Sequence, residues 1–155
     1  YIDPMQRSGL FLSRAALSLS GSNIDKDQED GILTAAEIAT LDLSETDLVV
    51  LSACETALGD ITSEGVWGMQ RAFRMAGART LVMSLWQVDD EATALLMRYF
   101  YEELLTRTQV DTLHCLQDTG SMGSTSAARA RAQHRLRQIP KYSSPYYWAG
   151  FIAIE

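Results

Sequence analysis

Two short apolar runs, each bounded by polar residues, stand out in the middle of the chain. Leu48–Leu51 follows Asp47 without a polar interruption, and a second, largely apolar stretch covers Thr80–Trp86. Continuous apolar runs of this length are typical of strands that are buried on both faces of a sheet. We therefore predict two buried strands.

Apolar residues at helical spacing follow each run. Val66, Met69, Phe73 and Ala76 form one stripe, and Gly77 is placed to end that helix. A second stripe lies behind the possible helix caps Asp89 and Asp90 and consists of Leu95, Leu96, Tyr99, Phe100 and Leu104.

Helix signals also occur nearer the two ends of the chain. Thr34 and Glu37 have capping-box spacing, which predicts a short helix over Thr34–Thr40. An Arg-rich helix is predicted over Ala127–Gln138, because Pro140 follows it, and the aromatic and β-branched Tyr147–Ile154 is predicted to be a closing strand.

This order of elements predicts an α/β layered fold with a parallel-type sheet covered on both faces. Ligands in such sheets bind beyond the carboxyl ends of the strands. Ser52 and Cys54 lie at one such end, and Trp86, Asp89 and Asp90 lie at the other. If the two strands are neighbours, these residues line one cleft.

Composition narrows the class of protein. The 155 residues are 46% hydrophobic, which is enough for a single domain with a core, and the net charge of −7 argues against nucleic acid or an anionic membrane as partner. Only Cys54 and Cys115 are present, and no apolar run is long enough to span a bilayer. We expect a cytoplasmic protein, and we expect this chain to be a fragment.

Cys54 is the candidate nucleophile, since a thiolate at a strand end can attack a substrate carbonyl. Its position alone favours a buried core thiol. His114 and His134, the only histidines, lie far downstream and are expected on the surface. The adjacent His114 and Cys115 lack zinc-site spacing, so no metal or other cofactor is predicted.

Charged segments have simpler interpretations. The acidic stretch from Asp25 fails the pattern of a calcium loop, because Asp30 stands where glycine is needed and Ala36 where glutamate is needed. The arginines of Ala127–Gln138 are expected to pair with neighbouring acids. One of Asp89 and Asp90 is expected to cap a helix, and a spare carboxylate would select a Lys or Arg side chain.

Four segments together resemble the CHAT domain family, caspase-like cysteine peptidases related to separase. They are Asp30–Ile38, Ser52–Thr56, Ser84–Asp90 and Pro145–Phe151. The resemblance implies a caspase-hemoglobinase-like three-layer sheet with helices on both faces, of which residues 1–155 form the nucleophile-bearing part without the N-terminal strands. It also implies upstream TPR or sensor domains in a parent protein, often a bacterial one.

Carried over to this sequence, the resemblance assigns Cys54 as the nucleophile and Asp90 as the residue that contacts an Arg before the cut bond. Asp89 is the second choice for that contact, and Trp86 and Ser52 complete the substrate-binding set. The dyad His of the family lies upstream of the nucleophile, but no His precedes Cys54 in this chain. Residues 106–126 are also longer than the family's usual connection and are predicted to be an insertion loop.

Two hypotheses follow. The first is a cysteine endopeptidase domain that acts on protein or peptide substrates, prefers Lys or Arg before the cut bond, and takes its His from upstream, so that the fragment alone is inactive. The second is a catalytically silent caspase-like domain that uses the same cleft to hold a partner.

Overall fold

The computed structural model describes residues 4–13, 15–21, 30–52, 63–114 and 125–155. In chain order the elements are α1 (Pro4–Arg7), β1 (Gly9–Phe11), α2 (Ala15–Leu19), β2 (Ile32–Thr34), α3 (Ala35–Ile38), β3 (Leu48–Leu51), α4 (Ser63–Met75), β4 (Thr80–Ser84), α5 (Asp90–His114), α6 (Thr125–Arg137), a 3₁₀ turn (Pro140–Tyr142), α7 (Pro145–Trp148) and β5 (Phe151–Ile154). The fold is mixed α/β with two small sheets.

The chain divides into two compact units. The first contains the described residues up to Asp47 and those in the range 63–79. The second contains Leu48–Ser52 and the described residues from Thr80 onward.

In the first unit, β1 and β2 form an antiparallel pair in which Gly9 lies opposite Thr34. Thr34 also begins α3 with the predicted capping box: its hydroxyl accepts from the Glu37 N–H at 3.2 Å, and the Glu37 carboxylate accepts from the Thr34 N–H at 2.7 Å. These reciprocal bonds satisfy two backbone donors that a helix start leaves free.

The helix α4 follows its predicted apolar stripe, with Met69 and Phe73 buried. Gly77 ends this helix as expected, with a φ of 99°, which residues that have a side chain rarely adopt. A Cβ atom on Gly77 would also lie 3.1 Å from the backbone of Ser44, so a glycine is needed there for two reasons.

In the second unit, β3 and β4 lie at the two predicted strands and run parallel, with Leu51 opposite Met83. The centre of β4 is buried as predicted, but β3 is only partly buried, and β4 ends at Ser84, two residues before the predicted end. The closing strand β5 runs antiparallel to β4, so the prediction of a parallel-type sheet was wrong at this edge. The reason is where β5 begins. Its first residue, Phe151, pairs with Ser84 at the carboxyl end of β4, so the strand runs from that end back toward the start of β4.

The prediction of a strand over Tyr147–Ile154 was also wrong for its first part. Residues Pro145–Trp148 form α7, and the strand begins at Phe151. Pro145 occupies a first-turn position, where its fixed φ favours a helix and its missing N–H costs nothing. This local effect outweighs the β propensity of the aromatic residues.

The helices α5 and α6 pack together on one face of the second sheet. Their buried residues form a common core with the strands: Val82, Val88, Ala92, Leu96, Phe100, Ala128, Ala132, Leu136, Tyr142 and Phe151. Leu81 and Met83 alternate with Val82 along β4 and are also buried. Burial on both faces explains why this strand is apolar at successive positions.

The predicted loop over residues 106–126 lies partly within helices and partly outside the described residues. Helix α5 continues to His114 and α6 begins at Thr125, so both ends of the predicted 106–126 loop are helical. Residues 115–124 lie outside the described part, and the insertion stays a prediction. The acidic stretch at 22–29 also lies outside it. None of the helices in the described ranges is long and apolar enough to cross a membrane.

Candidate functional site

The carboxyl ends of β3 and β4 lie side by side. Leu51 and Met83 are register partners in the parallel pair, so the chain leaves both strands at the same edge of the sheet. Ser52, the first residue after β3, is exposed. Cys54, the candidate nucleophile, lies outside the described residues.

Beyond β4, the chain forms a partly exposed apolar surface. Leu85 and Trp86 each expose 38% of their area, and Tyr146 exposes 49%. The backbone N–H of Leu85 donates to the carbonyl of Gly150 at 2.7 Å, and the indole N–H of Trp86 donates to the carbonyl of Tyr146 at 3.3 Å. The segment before β5 is therefore hydrogen-bonded to the two residues that follow β4.

Gly150 allows this close approach because it has no side chain. A Cβ atom there would lie 2.7 Å from Cγ1 of Val88 and 3.2 Å from Cε2 of Trp86. Val88 is buried, so its side chain has little room to move away. Sequence reasoning missed the contribution of Gly150 and Tyr146, because their contacts join residues far apart in the chain.

The two adjacent aspartates at the start of α5 have different environments. Asp89 is half-buried, and its Oδ1 accepts from the backbone N–H of Ala92 at 2.9 Å, which is the bond of a helix cap. The carboxylate of Asp90 is exposed and makes no hydrogen bond or ion pair with the part of the chain that the structure describes. The predicted division into one capping and one spare carboxylate is therefore seen, with Asp90 as the spare one.

The next carboxylate, Glu91, is paired. Its Oε2 accepts from Nζ of Lys141 at 2.6 Å, and this hydrogen bond lowers the pKa of Glu91 and raises the pKa of Lys141. Lys141 also lies over the ring of Tyr142, 5.0 Å from its centroid. Burial is the main cause that raises the pKa of the Tyr142 phenol.

Two of the four arginines of α6, Arg131 and Arg135, pair with acids of α5, as predicted. Arg129 instead donates to the side chain of Gln133 and to the carbonyl of Phe151. Arg131 contacts Glu103 at 2.7 Å, and Arg135 contacts Glu102 at 2.9 Å and Glu103 at 3.3 Å. The Arg135 guanidinium also lies 4.0 Å from the centroid of the Tyr99 ring. These contacts join the two helices, so Arg131 and Arg135 are occupied within the protein.

Two further predictions concern histidines and metals. His134 is exposed on α6, as expected, and the side chain of His114 lies outside the described part. Within the described ranges, no group of three or more His, Cys, Asp or Glu residues could hold a metal ion.

Comparison with known proteins identifies a family model and two similar proteins of the same name. A family model described as the CHAT domain matches residues 2–155. The chain is similar to Tetratricopeptide repeat protein 28 of Mus musculus and of Homo sapiens, with 32% identity over 123 residues in each case. That alignment covers 79% of this chain but 4% of each relative. No solved structure matches.

Proposed function

Because the chain belongs to the CHAT domain family, we propose that it is the nucleophile-bearing part of a cysteine endopeptidase with a caspase-hemoglobinase-like fold. Cys54 supplies the thiolate, and a His from upstream in the full-length protein supplies the base. The protein cleaves after Lys or Arg and acts in the cytoplasm, where a reducing environment keeps the thiol free.

The observation that carries this proposal is the free carboxylate of Asp90. Asp89 is used in capping α5 and Glu91 is paired with Lys141, whereas Asp90 is exposed and has no partner within the described residues. It follows β4 at the sheet edge where β3 also ends. An unpaired carboxylate there favours a cationic side chain, because a charged hydrogen bond to Lys or Arg replaces its contact with water.

The aromatic residue on the loop that leads to Asp90 supports the same preference. Trp86 precedes Asp90 by one short loop, and its ring is partly exposed. An aromatic face attracts the guanidinium of Arg or the ammonium of Lys. The combination of Trp86 and Asp90 therefore suits a long basic side chain, which has an apolar stem and a charged end.

The reaction proceeds in two steps. The Cys54 thiolate attacks the carbonyl carbon of the basic residue, and the bond from that carbon to the next residue's nitrogen breaks. The upstream His, which has taken the thiol proton, gives it to the leaving amine. The backbone N–H of Cys54 stabilises the oxyanion. Water then attacks the thioester, which releases the carboxylic acid and restores the thiol.

The relatives suggest the setting of this reaction. Both are named as tetratricopeptide repeat proteins, and the chain matches only a small part of each. We propose that the full-length protein also carries TPR domains upstream, which bind or sense another protein and control access of a protein or peptide substrate to the cleft.

The test uses the full-length protein and fluorogenic peptide amides that end in Arg, Lys or a neutral residue. We expect turnover of the basic substrates, its loss in Cys54→Ala, and its retention in the matched control Cys115→Ala. Turnover that persists in Cys54→Ala would overturn the proposal. Peptide binding without any turnover in the unmodified protein would instead support a silent domain that holds a partner.

A further inference from the structure

The position of Trp86 depends on a segment that is distant in the sequence. Residues 145–150, here called the bracket, include α7 and lead into β5. Trp86 lies on the loop between β4 and α5 and has no regular structure of its own. Its ring therefore needs contacts from elsewhere if it is to be held in one orientation.

The bracket supplies those contacts at two points. The carbonyl of Tyr146 accepts the indole N–H at 3.3 Å, which fixes one edge of the ring. Gly150 lies against the same edge, since a Cβ atom at that position would be 3.2 Å from Cε2 and 3.3 Å from Nε1 of Trp86. The ring is thus confined by a hydrogen bond and by the close approach of a bare backbone.

The backbone of the bracket is itself fixed. The Gly150 carbonyl accepts from the Leu85 N–H at 2.7 Å, immediately before Trp86. Phe151, the next residue, is buried and pairs with Ser84 in the sheet. The glycine therefore cannot withdraw from the ring without breaking the start of β5.

We propose that Gly150 is a positioning residue that holds the Trp86 ring as the apolar wall of the substrate cleft. The wall continues over the exposed side chains of Leu85 and Tyr146. The part of the ring next to Asp90 contacts the stem of the bound basic residue. The part that continues over Leu85 and Tyr146 suits an apolar or aromatic residue just before that basic residue, because burying apolar area is favourable. This inference rests on the proposed function and extends its substrate class to a basic residue with an apolar neighbour.

The test separates the indole contact from the general packing of Gly150. Gly150→Ala alone would also clash with Cγ1 of Val88, at 2.7 Å, and could fail to fold for that reason. Val88→Ala removes that atom, so the double variant Val88→Ala/Gly150→Ala leaves the indole as the crowded neighbour. Val88→Ala alone is the matched control.

Binding is measured by fluorescence anisotropy on the full-length protein carrying Cys54→Ala, so that no peptide is cut. Two labelled peptides are compared, one with Phe-Arg and one with Gly-Arg at its centre. We expect the Phe-Arg peptide to bind about tenfold more tightly. Val88→Ala keeps that ratio, and the double variant lowers it to about threefold or less.

If the folded double variant keeps the same ratio of affinities for the Phe-Arg and Gly-Arg peptides, the positioning role of Gly150 is overturned. It is also overturned if the protein without these substitutions binds the two peptides equally well. Should the double variant not fold by circular dichroism, Trp86→Phe decides the matter. It keeps an aromatic ring but loses the indole nitrogen that lies against Gly150 and donates to the carbonyl of Tyr146. A lowered ratio then supports the inference and an unchanged one overturns it. Turnover is measured separately with Cys54 intact, so its absence defeats the endopeptidase proposal while the binding ratio still tests the wall.

Discussion

Asp89 Oδ1 accepts a hydrogen bond from the backbone N–H of Ala92 at 2.9 Å and so caps the longest helix of the second unit. This bond determines which of the two adjacent aspartates is available for another purpose. The capping bond uses the Asp89 carboxylate, and Asp90 is left exposed at the same helix start.

The two aspartates should therefore respond differently to substitution. We expect Asp89→Ala to lower the free energy of unfolding by about 1 kcal/mol, because the helix loses its cap. Asp90→Asn should cost less than about 0.5 kcal/mol and should instead reduce the preference for Arg over neutral substrates. Urea unfolding and peptide turnover measure these effects. Equal losses of stability in the two variants would contradict the division of roles.

Acid should weaken the contact between α5 and α6. Hydrogen bonds from Arg98 and then Arg135 lower the pKa of Glu102 below its ordinary value of 4.5. Since the folded-state pKa is the lower one, this carboxylate contributes stability above the unfolded-state value, and the contribution is lost as the pH falls through the folded-state value.

Glu102→Gln tests this directly. Its urea midpoint should fall less than that of the unmodified protein between about pH 6 and about pH 3. Glu45→Gln, at an exposed glutamate without an ion pair among the described residues, is the matched control. Parallel pH curves for Glu102→Gln and the unmodified protein would show that these bonds add nothing to stability.

The core beneath α6 should be sensitive to a loss of volume. Leu136 is fully buried among residues of α5, α6 and the sheet, whereas Leu105 on α5 exposes 62% of its area. We expect Leu136→Ala to cost about 2–5 kcal/mol and Leu105→Ala to stay within about 0.5 kcal/mol. Chemical unfolding compares the two, and similar costs would mean that α6 is not packed as described.

The features that could be predicted from the sequence depend on neighbours in the chain. The apolar runs at β3 and β4, the capping box at Thr34 and the cap at Asp89 each follow from a few adjacent residues. The pairing of Arg131 and Arg135 with acids of α5 was also predictable, because a basic helix in an acidic protein needs counter-charges.

The features that could not be predicted depend on residues far apart. The indole of Trp86 bonds to the carbonyl of Tyr146 across 60 positions, and no local pattern marks that pair. The direction of β5 was mistaken for the same reason, since it is set by where Phe151 meets Ser84. The error at Pro145–Trp148 has a local cause. The aromatic residues there suggested a strand, but the proline in the first turn favours the helix that is observed.

The role of Cys54 as the nucleophile is tested most directly by treating the full-length protein with an Arg-containing peptidyl acyloxymethyl ketone. The modified peptides are then mapped by mass spectrometry. Such a probe alkylates a thiolate that lies beside a bound Arg side chain. We expect an adduct on Cys54, none on Cys115, and slower labelling in Asp90→Asn. Equal labelling of both cysteines, or none on Cys54 in excess probe, would contradict it.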